Sequence, residues 1–423
     1  MVIRVSLSCM LCLISAGADL SRPHVDDAAD SELVQMVVTL LHDTDKDIRA
    51  LGLEQVRTAT KGPSATQQFA AELPKLPGEA QVALLSALAD RGDAAARPAI
   101  IDLLATRPDE PVTRAALAAL GFLGEPADAA VLLHWLRDGA PAVQEAARAS
   151  LVRLPGDAVS ALLGAELDQA PAALQVILLE VLTARRALNT LPQLLPLAVA
   201  ADASVRGAAM AALGQLAGPE HIPGLLQGVL AAEPGRERET AEKAVLSVCS
   251  RIADANRRAE PVLAAMQELS DAQRLNVLPA LGRVGGPAAL QAIEAAIGQA
   301  QHDVHDAGIR ALCNWPDASI APRLLELATQ DPHPDHQIKA LRALIRVAVV
   351  ADERTDDERL GLLRAALEVC TRDSERNLVL QRAQAIRTPD TLRFLLPFLD
   401  QPACAQQACQ SVVELAHHRA LRE

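Results

Sequence analysis

Aromatic residues are scarce in this chain of 423 residues, which has four Phe, two Trp and no Tyr. Carbohydrate sites generally rely on aromatic side chains that stack on sugar rings, so this scarcity disfavours carbohydrate binding. Trp135 and Trp315 could mark a ligand surface or fill gaps between helices. We favour the second interpretation, because isolated tryptophans in an alanine-rich chain generally serve packing.

Positive charge is also in short supply. The chain has 40 Lys and Arg residues against 53 Asp and Glu residues, and a formal net charge of −13. Binding to nucleic acid or to anionic lipid requires clustered cations. We therefore predict no nucleic-acid partner, and a protein partner of basic or mixed charge. The sequence names neither that partner nor an oligomeric state.

Cysteines and enzyme motifs are too few to suggest a disulfide framework or an active site. Beyond residue 18 the cysteines are Cys249, Cys313, Cys370, Cys404 and Cys409. An odd, widely spaced set of this kind is not a disulfide framework. The chain has no GxSxG, HExxH or P-loop motif, and no GxGxxG between a strand and a helix. The sequence predicts no enzyme activity, no catalytic residue and no cofactor.

Residues 1–18 have the features of a secretory signal peptide. Arg4 gives a positive start, residues 5–14 form an apolar run, and Ala-Gly-Ala at 16–18 fits the small-x-small cleavage pattern. The run is too short to span a bilayer. We predict a periplasmic or secreted protein with no membrane insertion after cleavage, and a flexible acidic leader over residues 19–30. The alternative is a cytoplasmic protein in which residues 1–18 form a buried first helix of the array.

A leucine recurs with a fixed step of 31 residues at Leu120, Leu151, Leu182 and Leu213. The same position can be traced outward at less regular steps, and we call the whole series the seam residues: Val56, Leu88, Leu120, Leu151, Leu182, Leu213, Val245, Leu281, Leu312 and Leu344. In the most regular part, an apolar residue stands eight positions earlier, at Val112, Val143, Leu174 and Val205. A period of about 20–50 residues is the signature of a repeat array, in which each unit packs on its neighbours.

Residues 201–230 show how one repeat is built. Asp202 and Ser204 are capping residues before a helix whose apolar side chains follow the 3.6-residue period. Gly218-Pro219 ends that helix, and a second amphipathic helix follows at once. Strand signals are absent from the whole sequence, since no stretch alternates apolar and polar residues. The chain is therefore predicted to be all-α.

This pattern resembles the HEAT repeat, including the bacterial short form called the phycobilisome-lyase-type repeat. Residues 202–206 (Asp-Ala-Ser-Val-Arg) carry the resemblance together with Ala209, Ala212, Leu213 and Gly214, and residues 45–49 with Gly52 and Val56 form a weaker copy. The resemblance covers roughly residues 31–420, and we place the repeat domain at residues 31–423. It implies an α-solenoid, a superhelix of about eleven stacked antiparallel helical hairpins.

Such folds are usually binding surfaces, so we predict a non-enzymatic, exported scaffold for protein–protein interaction. One alternative is an accessory or lyase-type HEAT-repeat protein that acts on a cofactor or pigment. A second is a cytoplasmic repeat adaptor. Arg49, Arg206 and Arg274, with Asp45 and Asp202, could line a concave binding ridge. We favour for them an internal ladder of hydrogen bonds between successive repeats.

Two short segments hold four of the ten histidines: residues 301–306 (Gln-His-Asp-Val-His-Asp) and 331–336 (Asp-Pro-His-Pro-Asp-His). His302 and His333 are 31 residues apart, as are His305 and His336, so each pair should stack in adjacent repeats. Imidazole and carboxylate together could bind Zn²⁺. Asp and His are also ordinary in turns, and His305 stands where other repeats have Arg or Gln. We favour a polar loop between repeats and predict no metal site, these four histidines being the candidates if one exists.

Overall fold

The computed structural model describes residues 26–418, and side chains from residue 31 onward. This part of the chain folds into 24 α-helices and eight short 3₁₀ turns, with no β-strand among the described residues. The all-α prediction is confirmed. The predicted signal peptide and residues 19–25 of the predicted leader lie outside the described residues. The helices divide into two compact units that meet at Pro155 and Gly156 in the sequence.

Unit 1 contains the first eight helices. They are α1 (Asp26–Leu41), α2 (Lys46–Thr58), α3 (Pro63–Ala70), α4 (Gly78–Arg91), α5 (Arg97–Ala105), α6 (Glu110–Leu123), α7 (Ala129–Asp138) and α8 (Pro141–Arg153). Its 3₁₀ turns are Leu73–Lys75, Ala94–Ala96 and Pro126–Asp128.

Unit 2 contains the other sixteen helices. They are α9 (Asp157–Glu166), α10 (Ala172–Ala184), α11 (Leu191–Leu197), α12 (Ala203–Leu216), α13 (Ile222–Ala231), α14 (Arg236–Cys249), α15 (Glu260–Met266), α16 (Asp271–Val284), α17 (Pro287–Ile297), α18 (His302–Cys313), α19 (Ala321–Gln330), α20 (Pro334–Ala348), α21 (Asp356–Glu368), α22 (Asp373–Ala383), α23 (Pro389–Leu395) and α24 (Ala405–His417). Its 3₁₀ turns are Leu188–Thr190, Pro219–His221, Ala255–Arg257, Ala318–Ile320 and Leu396–Phe398.

Within each unit, an odd-numbered helix and the following even-numbered helix form an antiparallel pair, and each even helix packs on the next even helix. Each of the ten seam residues lies on an even helix and is 0% exposed. The described residues form twelve pairs, where the sequence predicted about eleven. The traced series ends at Leu344 on α20, and two more pairs follow it, whose buried leucines are Leu380 and Leu415.

The first helix begins earlier than predicted. α1 starts at Asp26, so residues 26–30 of the predicted flexible leader are helical. This segment contains neither glycine nor proline, and nothing in it stops the helix from extending towards the N-terminus. The boundary placed at residue 31 is therefore five residues late.

The helix starts are capped as the sequence indicated. Asp45 accepts a hydrogen bond from the backbone N–H of Asp47 at 2.8 Å. Asp202 accepts from the N–H groups of Ser204 and Val205, at 2.8 and 3.2 Å. Each carboxylate satisfies amide groups that the first turn of a helix leaves without a carbonyl partner.

The arginines predicted to form a ladder hold the turns in place. Arg49 and Arg206 each donate from Nη1 to two carbonyl oxygens of the turn before their own helix, at 2.7–3.0 Å. Arg274 donates to the carbonyl oxygens that end α15. Arg206 also reaches the next even helix, where its Nε lies 2.8 Å from Glu237 Oε1. Of these side chains, only Arg206 joins successive repeats as the ladder interpretation predicted, whereas Arg49 and Arg274 bond within their own helix pair.

A second set of arginines, which sequence reasoning missed, joins successive even helices at their C-terminal ends. Arg91 donates to the carbonyl oxygens of Val56 and Ala59, at 2.8 Å each. Arg346 donates to those of Cys313 and Trp315, at 3.0 and 2.6 Å. Arg251 makes the same kind of contact with the last turn of α12. A cation there satisfies orphan carbonyls and complements the helix dipole.

Glycine permits close approach between even helices. A Cβ on Gly214 would lie 3.0 Å from the Cα of Ala244 on α14, and a Cβ on Gly282 would collide with the Ala311 carbonyl oxygen on α18. Trp315 is 3% exposed, as expected for a gap-filling side chain, and its indole N–H donates to Ser319 Oγ at 3.1 Å. Among the described residues, no helix is both long enough and apolar enough to cross a bilayer.

A buried carboxylate joins α20 to α22. Glu375 has a side chain that is 2% exposed, and Arg342 donates two hydrogen bonds to its Oε1, at 3.0 and 2.7 Å. Burial acts to raise the pKa of Glu375. Hydrogen bonds from Ser374 and Arg342 and the charge of Arg372 outweigh burial, so this pKa lies below its ordinary value.

Candidate functional site

A groove in unit 1 lies between α3 and α5 and has a volume of about 630 Å³. Its walls consist mostly of small apolar residues and prolines. The lining residues are Gln67, Ala70, Ala71, Pro74, Gln81, Ala95, Pro98, Ala99, Asp102, Leu103, Thr106 and Pro108. The volume is in the range of ordinary ligand-binding clefts.

The small side chains explain why the groove exists. Alanine and proline occupy positions on two neighbouring odd helices where larger residues would close the gap. Asp102 is the one charged residue among the lining side chains. The groove is therefore suited to an apolar segment that carries a basic or neutral group, and not to an acidic one.

The second candidate site is the histidine cluster in unit 2, which we define as His305, Asp331, His333 and His336. His305 lies in the first turn of α18, and His336 lies in the first turn of α20. Asp331 follows the last residue of α19, and His333 is the residue before α20. The cluster thus joins two consecutive helix pairs.

Ligand atoms of the four cluster residues lie within 4.8 Å of one another. Asp331 is at the centre, with a fully buried side chain. Its Oδ2 lies 2.9 Å from His305 Nε2, and its Oδ1 lies 3.2 Å from His336 Nδ1 and 3.5 Å from His333 Nδ1. His333 Nδ1 is buried and has no hydrogen-bond partner among the described residues.

The outer nitrogen atoms of two cluster histidines are held by other groups. His305 Nδ1 donates to the carbonyl oxygen of Ile297 at 2.6 Å. His336 Nε2 lies 3.0 Å from Asp306 Oδ1, and Asp306 also accepts from Lys339 Nζ and Arg310 Nε, at 2.9 Å each. These contacts fix the orientation of both rings and turn their other nitrogen atoms towards Asp331.

The pKa values of Asp331 and Asp306 both lie below the ordinary value of an aspartate. Burial acts to raise the pKa of Asp331. Hydrogen bonds from the His333 backbone and the His305 ring lower this pKa by more than burial raises it. Burial likewise acts to raise the pKa of Asp306. Lys339 and Arg310 outweigh that effect and hold this pKa below its ordinary value as well.

The predicted stacking of the two histidine segments in adjacent repeats is confirmed, and the rings that are 31 residues apart contact each other in tilted orientations. The ring centroids of His302 and His333 are 4.9 Å apart, and those of His305 and His336 are 5.2 Å apart. His302, one of the four sequence candidates, is exposed and lies beside the cluster and outside its converging ligand atoms. Asp331, absent from those candidates, takes the central place.

His305 also has a structural task that other repeats give to different residues. Gln81 Nε2 donates to the carbonyl of Leu73, and Gln175 Nε2 donates to that of Leu167, in each case eight residues earlier. His305 makes the same bond to Ile297, also eight residues earlier. This equivalence supports the polar-loop interpretation for His305 Nδ1. The contact of His305 Nε2 with Asp331 has no counterpart in the glutamine bonds of those two repeats.

The described cysteines are free thiols. Burial raises the pKa of Cys249 to about 11, that of Cys313 to about 12 and that of Cys370 to about 11. Because the thiolate is the reactive form, these three side chains are poor nucleophiles at neutral pH.

Within each unit, the helix pairs stack through their even members, which is the architecture of a HEAT-repeat α-solenoid. Residues 66–152, all within unit 1, match the family model for HEAT repeats. No curated protein sequence matches the chain.

Solved structures with a similar fold include two complexes of the karyopherin Kap121p. In the complex with the extreme C-terminus of the protein phosphatase Cdc14p, the TM-score is 0.50 and the identity 14%, over 92% of this chain and 50% of that one. In the complex with the SUMO protease Ulp1p, the TM-score is 0.50 and the identity 15%, over 94% and 53%. This chain spans about half the length of the karyopherin, and such low identity shows a shared fold alone.

Proposed function

We propose that this protein is an exported, non-enzymatic scaffold that binds a protein partner through its HEAT-repeat surface. The observation that carries the proposal is the apolar groove between α3 and α5 of unit 1. A groove with alanine and proline walls can accept an extended segment of another protein or one face of a helix. Repeat arrays characteristically present such surfaces.

The fold supports protein binding as the class of function. The similar karyopherin was solved in complexes with protein segments, including the C-terminus of a phosphatase. The same use of the fold here requires a groove that is open in the isolated chain, and the described groove meets that requirement. Asp102 in the groove and the overall charge of −13 favour a partner of basic or mixed charge.

Two features favour a non-enzymatic role. The sequence lacks the common catalytic motifs, and burial raises the pKa values of Cys249, Cys313 and Cys370, which leaves Cys409 as the exposed thiol, among the described residues, that a lyase-type activity could use. A pigment or cofactor attached through a thiol needs an accessible thiolate. Incubating the protein with candidate bilins and measuring visible absorbance of the protein fraction tests this; a covalent adduct would contradict the non-enzymatic assignment.

The groove assignment is tested by affinity capture from the native cell envelope followed by mass spectrometry. Ala71 lines the groove and is exposed, so Ala71→Arg places a long cation inside it. The matched control is Ala231→Arg, an exposed alanine at the end of α13, remote in sequence from the groove. We expect the wild type and the control to capture the same partner and Ala71→Arg to lose it. Equal capture by all three proteins would contradict the groove as the binding surface.

Export is a proposal that rests on residues 1–18. Cleavage after residue 18 gives a mature chain that begins at Asp19. N-terminal sequencing of protein purified from the native cell is expected to start there, and the protein is expected in the periplasmic or secreted fraction. A native protein that starts at Met1 and fractionates with the cytoplasm would contradict export and support the cytoplasmic adaptor.

A further inference from the structure

We propose that the histidine cluster of unit 2 is a zinc-class divalent metal site, with His305, Asp331, His333 and His336 as ligands. This assignment departs from the sequence-based prediction of no metal. It rests on the contacts around Asp331 and is independent of the protein-binding groove, which lies in unit 1.

The first argument compares the number of imidazole N–H donors with the number of acceptors that they face. His305 faces two acceptors, the Ile297 carbonyl oxygen and Asp331, and His336 also faces two, Asp306 and Asp331. A neutral imidazole has one N–H, so two neutral rings supply two donors for four acceptors. The cluster is therefore short of two positive charges, which one divalent cation or two added protons would provide.

The second argument is the direction of the nitrogen atoms. His305 Nδ1 must carry the proton, because the Ile297 carbonyl oxygen can only accept. His305 Nε2, a lone pair when the ring is neutral, then points at Asp331 Oδ2 over 2.9 Å. Two facing lone pairs repel unless a proton or a metal cation lies between them, and only a ring that carries a second proton can donate to Asp331 from this nitrogen. A metal ion converts this contact into two coordinate bonds.

His333 provides independent support. Its Nδ1 is buried, has no hydrogen-bond partner among the described residues, and lies 3.5 Å from Asp331 Oδ1. A buried nitrogen without a partner costs free energy, and a metal–nitrogen bond removes that cost. Three imidazole nitrogens and one carboxylate then converge, which is a ligand set that zinc accepts.

The distances fit this assignment. A tetrahedral zinc with bonds of about 2.0–2.2 Å separates its ligand atoms by about 3.4 Å. The observed separations are 2.9 Å from Asp331 Oδ2 to His305, and 3.2 and 3.5 Å from Asp331 Oδ1 to His336 and His333. With one ligand atom taken from each residue, no pair in the cluster exceeds 4.8 Å. Small side-chain rotations would equalise these separations around an ion.

The surroundings match a second coordination shell. Metal-bound histidines generally donate their other N–H to a carbonyl or a carboxylate. His305 has the Ile297 carbonyl, and His336 has Asp306. The nearby cations Lys339 and Arg310 contact Asp306 and neutralise that outer carboxylate, so they leave Asp331 free to face the metal.

Four protein ligands leave no open coordination position, which indicates a structural metal and not a catalytic one. The ligands come from the start of α18, the end of α19 and the start of α20. The bound ion would clamp two consecutive helix pairs. Hydrogen exchange of peptides from α18 to α20 should therefore slow when zinc is added.

The test uses the full chain, dialysed against a chelator, desalted, and titrated with zinc chloride. We expect one zinc per chain by elemental analysis and calorimetry. His305→Gln is the most informative variant. Glutamine makes the same bond to the carbonyl eight residues earlier at Gln81 and Gln175, but it lacks the Nε2 lone pair that His305 would offer to the metal. Without zinc, His305→Gln should melt at the wild-type temperature. With zinc, the melting temperature should rise for the wild type alone.

Three further variants define the ligands. Asp331→Asn should also abolish stoichiometric binding, and Asp306→Asn should weaken it by roughly 10- to 100-fold as a second-shell change. His302→Ala should bind like the wild type. Absence of bound zinc in the wild type, or equal binding by wild type and His305→Gln, would overturn the proposal and leave a network satisfied by protons.

Discussion

The buried seam makes a quantitative prediction at Leu213. This side chain on α12 is fully buried, and α12 packs between α10 and α14. Leu213→Ala removes three carbon atoms, and at about 0.8 kcal/mol for each buried methylene the lost transfer free energy is about 2.4 kcal/mol. The neighbouring helices are themselves held by their own neighbours and close the cavity only in part, so we expect a total near 3–4 kcal/mol.

Leu188→Ala is the matched control in the same unit, because Leu188 is 59% exposed. Leu188→Ala removes the same atoms but should lower the free energy of unfolding by less than about 1 kcal/mol. Native-state hydrogen exchange with mass spectrometry measures the local opening free energy of α12 in both variants. Exchange is preferable to a single melting temperature, because repeat arrays do not always unfold in one step. Equal effects of the two substitutions would refute a stack held together by its seam.

Three further predictions concern other contacts in unit 2. Gly282→Ala should cost about 1–3 kcal/mol in urea unfolding, because the new methyl group would meet the Ala311 carbonyl oxygen. Arg346→Met should cost about 1–3 kcal/mol and speed hydrogen exchange at the end of α18, because it removes the donor from two partly buried carbonyl oxygens. The lowered pKa of Glu375 gives stability that is present above its unfolded value near 4.5 and lost as the pH falls further. Glu375→Gln should therefore reduce the loss of stability at acid pH, measured as urea midpoints between pH 3 and 7. An unchanged dependence on pH would show that Glu375 does not contribute to that loss.

The seam and the stacked histidines were predictable because both depend on one period. A residue that repeats every 31 positions occupies the same place in each helix pair, so burial of Leu120 implies burial of Leu213. The same rule placed His305 beside His336. No knowledge of turn conformation was needed for either result.

Other features depend on conformation that the period does not encode. Asp331 is central to the histidine cluster because the turn after α19 brings its carboxylate under three imidazole rings. The groove was missed because its walls are alanine and proline, which carry no chemical signal. The arginines at the ends of even helices stand at different distances after the seam residue of their helix, three residues for Arg91, six for Arg251 and two for Arg346, so their shared role is visible only in three dimensions.

The most direct test of the proposed scaffold role is photo-crosslinking in the native cell. A photoreactive amino acid at Ala71, inside the groove, should give a protein adduct of one defined mass, and the same residue at Ala231 should give none. Irradiated cells that show no adduct at Ala71, or the same adducts at both positions, would contradict a partner bound in the groove of unit 1.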